Sequence, residues 1–586
     1  MIVPMKRVLL LCVADEVEPT LKSLRDLGAV HLDLSTEGGT GAAAACAELE
    51  AAEKAARLVL KASKETGIAQ RGEGMSVERI LALDARREEL KSAADILRGT
   101  IRRYEPFGDF DPVLAARLES AGVRLVLRDD GEYDFVYGAE KADKEGCGRE
   151  IPLPSERLSV TKGRLADAER EMADITTSIA RADVSEILKS YPGLKDAVAF
   201  AAAKDEMSAN QLCGENDAEA SVDVSLIRGW IAQDCVDSLR NAARKNGWGL
   251  ALRDPGGDET PPTLIRPPKL FRPVKSLFEG LGIAPAYSEA DVSVPFMCYF
   301  SLFFAMLVGD GAYGAVFLAA ALYGWRRTVG KRSPLVKSWL VLMTVFSSAT
   351  VVWGVLSNTW FGAQIPWCAH WPTVKWLADP SYGNMMLLCF TIGASHLILA
   401  RLWNAVCRIN DSTCVAEFGW AGILLFMYFV TNSIVGIFPG IPSALYWVFG
   451  ISLAMVFGFS VKPSELKSRG AELGMLPLNI MSALGDIISY VRLFAVGLAS
   501  VKVAENFNSM AVGLLDGAET AWMKVLMALA MVAILVLGHA LNLVMAGLSI
   551  LVHAVRLNTL EFSNHKGVSW AGYAFNPFRR SAKSTE

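Results

Sequence analysis

The chain has 586 residues, a formal net charge of −4, 52% hydrophobic residues and 20% charged residues. It is too polar to consist of membrane spans alone and too apolar for an ordinary soluble enzyme, and its charge leaves no basic footprint for nucleic acid. The averages conceal two halves, because most of the charged residues precede Ser293 and long apolar runs with short loops follow it. A soluble domain over 1–290 and a membrane domain over 291–586 are therefore predicted.

The N-terminal run MIVPMKRVLLLCVADEVEP lacks a small-residue cleavage site and is not read as a signal peptide. Residues 6–13 read as a strand, 17–27 as a helix ending at Gly28, and 30–34 as a second strand. Beyond the glycine-rich turn at Gly38 to Gly41, the stretches 42–63, 76–104 and 158–190 are rich in Ala, Glu, Lys, Arg and Leu at helical spacing. They predict long helices lying antiparallel as a coiled coil. Between them, 123–129 and 133–138 read as strands with turn signals at Asp129 to Gly131, forming a small second lobe. After a turn at Tyr191 to Gly193, a strand over 197–203, a strand over 222–232 and a helix over 234–245 return the chain to α/β character. The fold predicted for this half is thus a two-lobed α/β cytoplasmic domain joined by a helical rod. Because the heptad spacing is short and irregular, a globular domain with surface helices is the alternative.

Ten cysteines, among them Cys12, Cys46, Cys147 and Cys298, show no CxxC or paired spacing, which suits reduced thiols and predicts neither a disulfide frame nor a metal site. The soluble half has no GxxxxGK[ST] phosphate loop, no GxGxxG after a strand, and one histidine, His31. Nucleotide hydrolysis by this chain is not expected, and no cofactor is predicted. The proline-rich stretch 255–273 is the linker into the second half.

Apolar runs occur at about 294–325, 337–360, 383–403, 420–438, 444–460, 480–507 and 519–556, predicting an all-α polytopic membrane domain. The connections carrying Arg326, Arg327, Lys331, Arg332 and Lys337, then Arg401 and Arg408, then Lys462, Lys467 and Arg469, and the tail with Lys566, Arg579, Arg580 and Lys583, are basic. Those at 361–382, 439–443 and 508–518 hold only Lys375. This alternation places both termini in the cytoplasm. The run 294–325 must then enter and leave on one side, so it is expected to break at VGDGAYG, 308–314, giving about eight membrane segments. A single span with the soluble half outside is the alternative.

Two polar features stand in the apolar half. The first is LGDIISYVRLFAVGLAS, 484–500, where Asp486 and Arg492 sit in a run long enough to cross a bilayer; an arginine near a helix centre in lipid costs about 2.5 to 3.5 kcal/mol on insertion scales. On a continuous helix the Arg492 face also holds Gly485, Ser489 and Ala499, small residues that let a partner approach, while Asp486 lies about 120° away and belongs to a channel wall. The second is a stripe of His539, Asn542, Ala546, Ser549, His553 and Arg556 along one helical face, which can line a hydrated half-channel. His396 is read as a packing residue.

These motifs resemble the a subunit of V-type and archaeal-type rotary ATPases, called subunit I in prokaryotes. The resemblance rests on MKRVLLLCVADEVEPTLKSLRDLGAVHL at the start, RGWI at 228–231, PPKLFRPVKSLFEGLGIAPAYSEADVSVPF at 267–296, FFAMLVGDGAYG at 303–314, SYVRLFAVGLA at 489–499, HAVRLNTLEF at 553–562, and Gly572 to Phe578. It implies a non-catalytic membrane stator that forms ion half-channels beside a rotating ring of c-type subunits. Its further implied partners are peripheral stalk subunits, the central-stalk-associated subunit of the membrane sector and the bilayer. In that family the arginine matching Arg492 faces the ring's ion-binding carboxylate, and the one matching Arg556 assists. Many relatives carry an acidic residue near the position of Ala546, and eukaryotic ones a histidine near Ser500. Neither is present, so Asp486, Glu505, His539, His553 and Glu561 are the candidates for the polar lining. A self-contained transporter or channel with a cytoplasmic regulatory domain is the competing reading, and it would call for an internal repeat that the sequence does not show.

Overall fold

The structure is a computed structural model that describes residues 2–580 except 35–38, 68–73, 128–132, 138–148, 213–222, 329–333, 380, 462–470 and 517–520. It is mostly helical, with two small sheets in the N-terminal half.

The larger sheet is assembled from two similar units far apart in sequence. In the first, β1 (Met5–Val13) leads through a single 3-10 turn into α1 (Val17–Leu27) and then β2 (Val30–Leu32). Residues 40–212 intervene, carrying α2 (Thr40–Thr66), α3 (Val77–Tyr104), α4 (Pro112–Ser120), β3 (Val123–Leu127), β4 (Tyr133–Tyr137), β5 (Arg149–Ile151), α5 (Leu158–Arg181), α6 (Val184–Ala209) and β6 (Gln211–Leu212). The second unit repeats the pattern with β7 (Val224–Ala232), α7 (Val236–Asn246) and β8 (Gly249–Arg253). Both helices stop at a glycine in the left-handed conformation, Gly28 at φ 62° and Gly247 at φ 69°, a backbone that side chains with a Cβ resist. The strands order as β2-β7-β1-β8, every pair antiparallel, with Met5 opposite Ala232 and Val13 opposite Val224; β6 pairs with β7. Alternate β1 residues Val8, Leu10 and Cys12 point into a core shared with Leu21 and Leu24 of α1 and Leu239 and Ala243 of α7.

Between the two sheets lie α2, α3, α5 and α6, with α2 against α6 and α3 against α5. Their contact is built from Ala52, Ala55, Ala62, Ala168 and Ala180 beside Val59, Ile80, Ile175, Ile179 and Ile187, small residues that let the axes approach. The second sheet, β4-β3-β5, stands beside α4. Three expectations fail here. The stretch 158–190 is two helices that meet at Ala182, where the Asp183 carboxylate accepts from the Ser185 N–H and starts α6. The expected strand over 197–203 is the middle of α6, which runs through Pro192 and past the expected turn at Tyr191 to Gly193. Its alanine-rich sequence favours helix, and Ala203 and Met207 bury against the larger sheet while Ile187 buries in the helical contact. The sequence reading missed the strands β5, β6 and β8. The predicted turn at 129–131 and the basic residues Lys331, Arg332, Lys462, Lys467, Arg469 and Lys583 lie outside the described residues.

After α8 (Val274–Leu281), the second half consists of α9 (Ser293–Val308), α10 (Gly311–Thr328), α11 (Pro334–Ser357), α12 (Pro372–Leu377), α13 (Gly383–Cys407), α14 (Thr413–Ile434), α15 (Ser443–Phe459), α16 (Leu476–Ile488), α17 (Val491–Asp516) and α18 (Ala521–Ser549). Among the described residues, five stretches are long and apolar enough to cross a membrane: 335–357, 383–407, 413–434, 476–514 and 522–566; 293–308 and 443–459 are shorter apolar helices. Between α9 and α10, Gly309 sits at φ +68° and Asp310, 1% exposed, accepts from the N–H groups of Ala312 and Gly362. That carboxylate caps α10 and ties it to the loop after α11. Gly311 and Gly354 meet where α10 crosses α11, leaving no room for a Cβ on either. The run 480–507 is not one helix, since α16 and α17 join through a turn at Ser489 and Tyr490. The expected loop at 508–518 is helical as far as Asp516.

Beyond the last helix, residues 567–580 travel back along the N-terminal half. The Trp570 ring stands edge-on to Phe278 and Phe296; the Thr263 N–H donates to the Tyr573 carbonyl, and the Phe575 N–H to the Thr263 carbonyl. The Phe578 N–H reaches the carbonyl of Val30 on edge strand β2 at 2.7 Å, and its ring enters the sheet core beside Phe200. Phe578→Ala should cost about 3 kcal/mol, as for other large-to-small core changes, seen as a lower thermal midpoint and earlier proteolysis of the tail.

His31 closes the same seam. Its Nδ1 accepts from the Asn576 N–H at 3.0 Å, and its ring lies against Tyr573 and Phe575. Burial pushes its pKa below the ordinary imidazole value. Because the unfolded state then takes up the proton more readily, the stabilisation is complete above pH about 6.5 and is lost as pH falls toward the folded value. Tail protection against proteolysis should fall with acidification in the native chain, and His31→Asn should flatten that dependence.

Candidate functional site

Arg492 opens α17 just past the turn. Its Nε donates to the Ser489 carbonyl at 3.1 Å, so the turn that ends α16 also fixes the direction of the guanidinium. Nη2 then donates to Glu561 Oε1 at 3.0 Å. Arg556 Nε lies 3.4 Å from that same oxygen. The Glu561 side chain is 4% exposed, against 23% for Arg492 and 53% for Arg556, so one buried carboxylate holds two guanidiniums that remain partly open to the outside. The other oxygen, Oε2, is buried with no hydrogen-bond partner among the described residues.

The local backbone explains the meeting of Arg556 and Glu561. Five residues apart, they would lie about 140° from each other on an α-helix. The chain after α18 is π-helical over Ile550–Ala554 and Leu557–Phe562. A wider turn brings residues i and i+5 onto one face. The Ser563 hydroxyl donates to the Asn558 carbonyl five residues back at 3.0 Å, satisfying an acceptor that the wider winding displaces. The even spacing read for the polar stripe is therefore interrupted beyond Ser549.

Asp486 does not meet Arg492. Its Oδ2 is 3.0 Å from His565 Nε2, and His565 Nδ1 accepts from Arg401 Nε at 3.1 Å, which assigns the ring proton to Nε2. Arg401 continues to Glu417 at 3.2 Å, Arg408 reaches the same carboxylate at 3.4 Å, and Lys566 donates to Asn404 Oδ1 at 2.7 Å. Glu417, His565 and Lys566 are buried. Sequence reading missed this network, counting Arg401, Arg408 and Lys566 as loop and tail charges. The available signal was Glu417 in the first turns of an apolar helix, a buried charge that requires partners.

The remaining candidates fall elsewhere. His539 Nδ1 is 2.7 Å from the Tyr313 hydroxyl, Asn542 Nδ2 donates to that hydroxyl and to the Ser500 carbonyl, and Ser500 Oγ donates to Asn542 Oδ1 at 3.1 Å. Asn542 and Ala546 are buried against their own bundle, so this part of the stripe packs inward. His553 is half-buried with Nδ1 lacking a partner among the described residues. Glu505 is exposed, paired with Lys502 at 2.6 Å, and lines a cavity of about 410 Å³ with Asp379, Tyr382 and Gln364. His396 is fully buried between Tyr299 and Phe562, with Nδ1 2.9 Å from the Tyr490 hydroxyl, as a packing residue would be.

No family model matches the chain. Among curated relatives, it is 29% identical over 637 residues to "V-type ATP synthase subunit I 1" of Treponema pallidum, covering 99% of this chain and all of that protein. It is 31% identical over 377 residues to "V-type ATP synthase subunit I" of Borreliella burgdorferi, covering 62% of this chain and 61% of the relative. To "A-type ATP synthase subunit I" of Methanocaldococcus jannaschii it is 23% identical over 393 residues, 61% of this chain and 55% of the relative. Over nearly its whole length the chain is similar to subunit I of V-type ATP synthases, and over about three fifths of it to subunit I of A-type ones.

Proposed function

We propose that this chain is the non-catalytic membrane stator of a V/A-type rotary ATPase, that 291–586 forms two ion half-channels beside a ring of c-type subunits, and that 1–290 links them to the peripheral stalks. The observation that carries the reading is the convergence of Arg492 and Arg556 on one buried carboxylate, both guanidiniums still partly exposed. A guanidinium stays protonated at any working pH, so it favours the ionised form of a ring carboxylate that comes opposite and promotes release of its ion. A fixed positive charge also blocks direct passage between the half-channels, and the attraction must stay transient for the ring to turn.

The polar groups on either side of Arg492 suit two separate paths. Asp486, His565 and Arg401 form one chain of hydrogen bonds. Glu505 lies thirteen residues beyond Arg492, about 20 Å along α17 at 1.5 Å per residue, at the cavity beside Lys502 and Asp379. His539 and Tyr313 would serve the same side. The helices α2, α3, α5 and α6, with a sheet at either end, suit a two-lobed strut with a coiled-coil rod. Contacts to the central-stalk-associated subunit, and a cell-membrane location with both termini in the cytoplasm, complete the reading.

Arg492→Ala should abolish ATP-driven ion uptake by the assembled complex in liposomes while the complex still forms; coupled transport at the wild-type rate would overturn the reading. For the orientation, a cysteine introduced at exposed Leu188 should react with an impermeant maleimide only from the cytoplasmic face. Labelling from outside would invert the topology.

A further inference from the structure

Glu561 does more in this geometry than anchor one helix to another. It is the acidic partner of both arginines, and the three side chains sum to one positive charge: two guanidiniums less one carboxylate. We propose that Glu561 is a built-in counter-ion that sets how strongly the pair holds the ring carboxylate, a positioning residue that keeps the stator's net charge matched to a single negative charge on its partner. The inference rests on the reading that Arg492 faces such a carboxylate.

Three observations bear on it. Both arginines use the same oxygen of Glu561, so neither has a separate anchor in that carboxylate. Arg492 is also directed by the Ser489 carbonyl, a neutral acceptor that orients it without cancelling its charge. Glu561 is nearly inaccessible while Arg556 is half-exposed, so an arriving carboxylate reaches the guanidiniums from their open side and Glu561 stays behind them. With Glu561 in place, the arriving group finds one net positive charge and makes a neutral cluster. Without it, two uncompensated guanidiniums would grip the same group and hold the ring in place.

This differs from a purely structural role, which would not depend on the sign of nearby charges. The test uses the assembled complex in liposomes, with ATP hydrolysis and ion uptake measured together. Glu561→Gln keeps the shape and an oxygen acceptor but removes the charge, and should slow both rates about thirtyfold at an unchanged ion-to-ATP ratio, the low end of the range for losing one partner of a buried charge pair. Glu561→Gln with Arg556→Gln restores the net charge of one and should turn faster than Glu561→Gln alone, without regaining the wild-type rate. A wild-type rate in the single variant, or a double variant no faster than the single, would overturn the inference. Arg492→Ala serves as the control: coupled transport in that variant would instead remove the reading beneath it. Should Glu561→Gln fail to assemble, Arg556→Gln decides alone. A complex that hydrolyses ATP without slowing but moves fewer ions per ATP supports the inference, and a slow, fully coupled one refutes it.

Discussion

The apolar half of this protein depends on a shared ion pair. A guanidinium inside a bundle is tolerated when its charge is met and its donors are used, and Glu561 meets two of them at 3.0 and 3.4 Å through a single oxygen. Other features follow from placing that oxygen. The turn at Ser489 and Tyr490 aims Arg492, the wide winding after α18 swings Arg556 and Glu561 onto one face, and Tyr490 fills the space behind by packing on Gly393 and bonding His396.

A second principle recurs in the same region, that of buried polar groups satisfied in chains and not singly. Asp486, His565, Arg401, Glu417 and Arg408 form one such chain; Ser500, Asn542, Tyr313 and His539 form another. Each joins helices distant in sequence, so each also fixes helix packing where apolar side chains, which face similar neighbours in lipid, give little direction.

Much of this was legible in the sequence where one residue type allows few explanations. Gly28 ended its helix as expected, and Arg492 and Arg556 announced themselves as charges that apolar runs cannot carry without a reason. What escaped reading was relational. No spacing rule reveals that Glu561 would reach Arg492, 69 residues away, or that a local change of helical winding would bring Arg556 beside it. Lys566 and Arg408 look like loop charges until the partners across the bundle are known. The strand expected at 197–203 failed for the opposite reason: a short apolar run fits strand or helix alone, and burial of Ala203 and Met207 on a helix decided it.

The tail has a mechanical meaning beyond its part in the sheet core. The polypeptide that bears Glu561 continues, with no long free loop, through Trp570, Tyr573 and Phe578 to the edge of the larger N-terminal sheet, where the Phe578 ring enters its core. A load applied to that helix reaches the sheet along a segment fastened at several points, by the bridges at Ala571 and Ala574 and by the Phe578 N–H. The N-terminal half and the helical bundle are thereby joined at two places, by this tail as well as by the proline-rich linker, so a turn of one against the other must strain both connections.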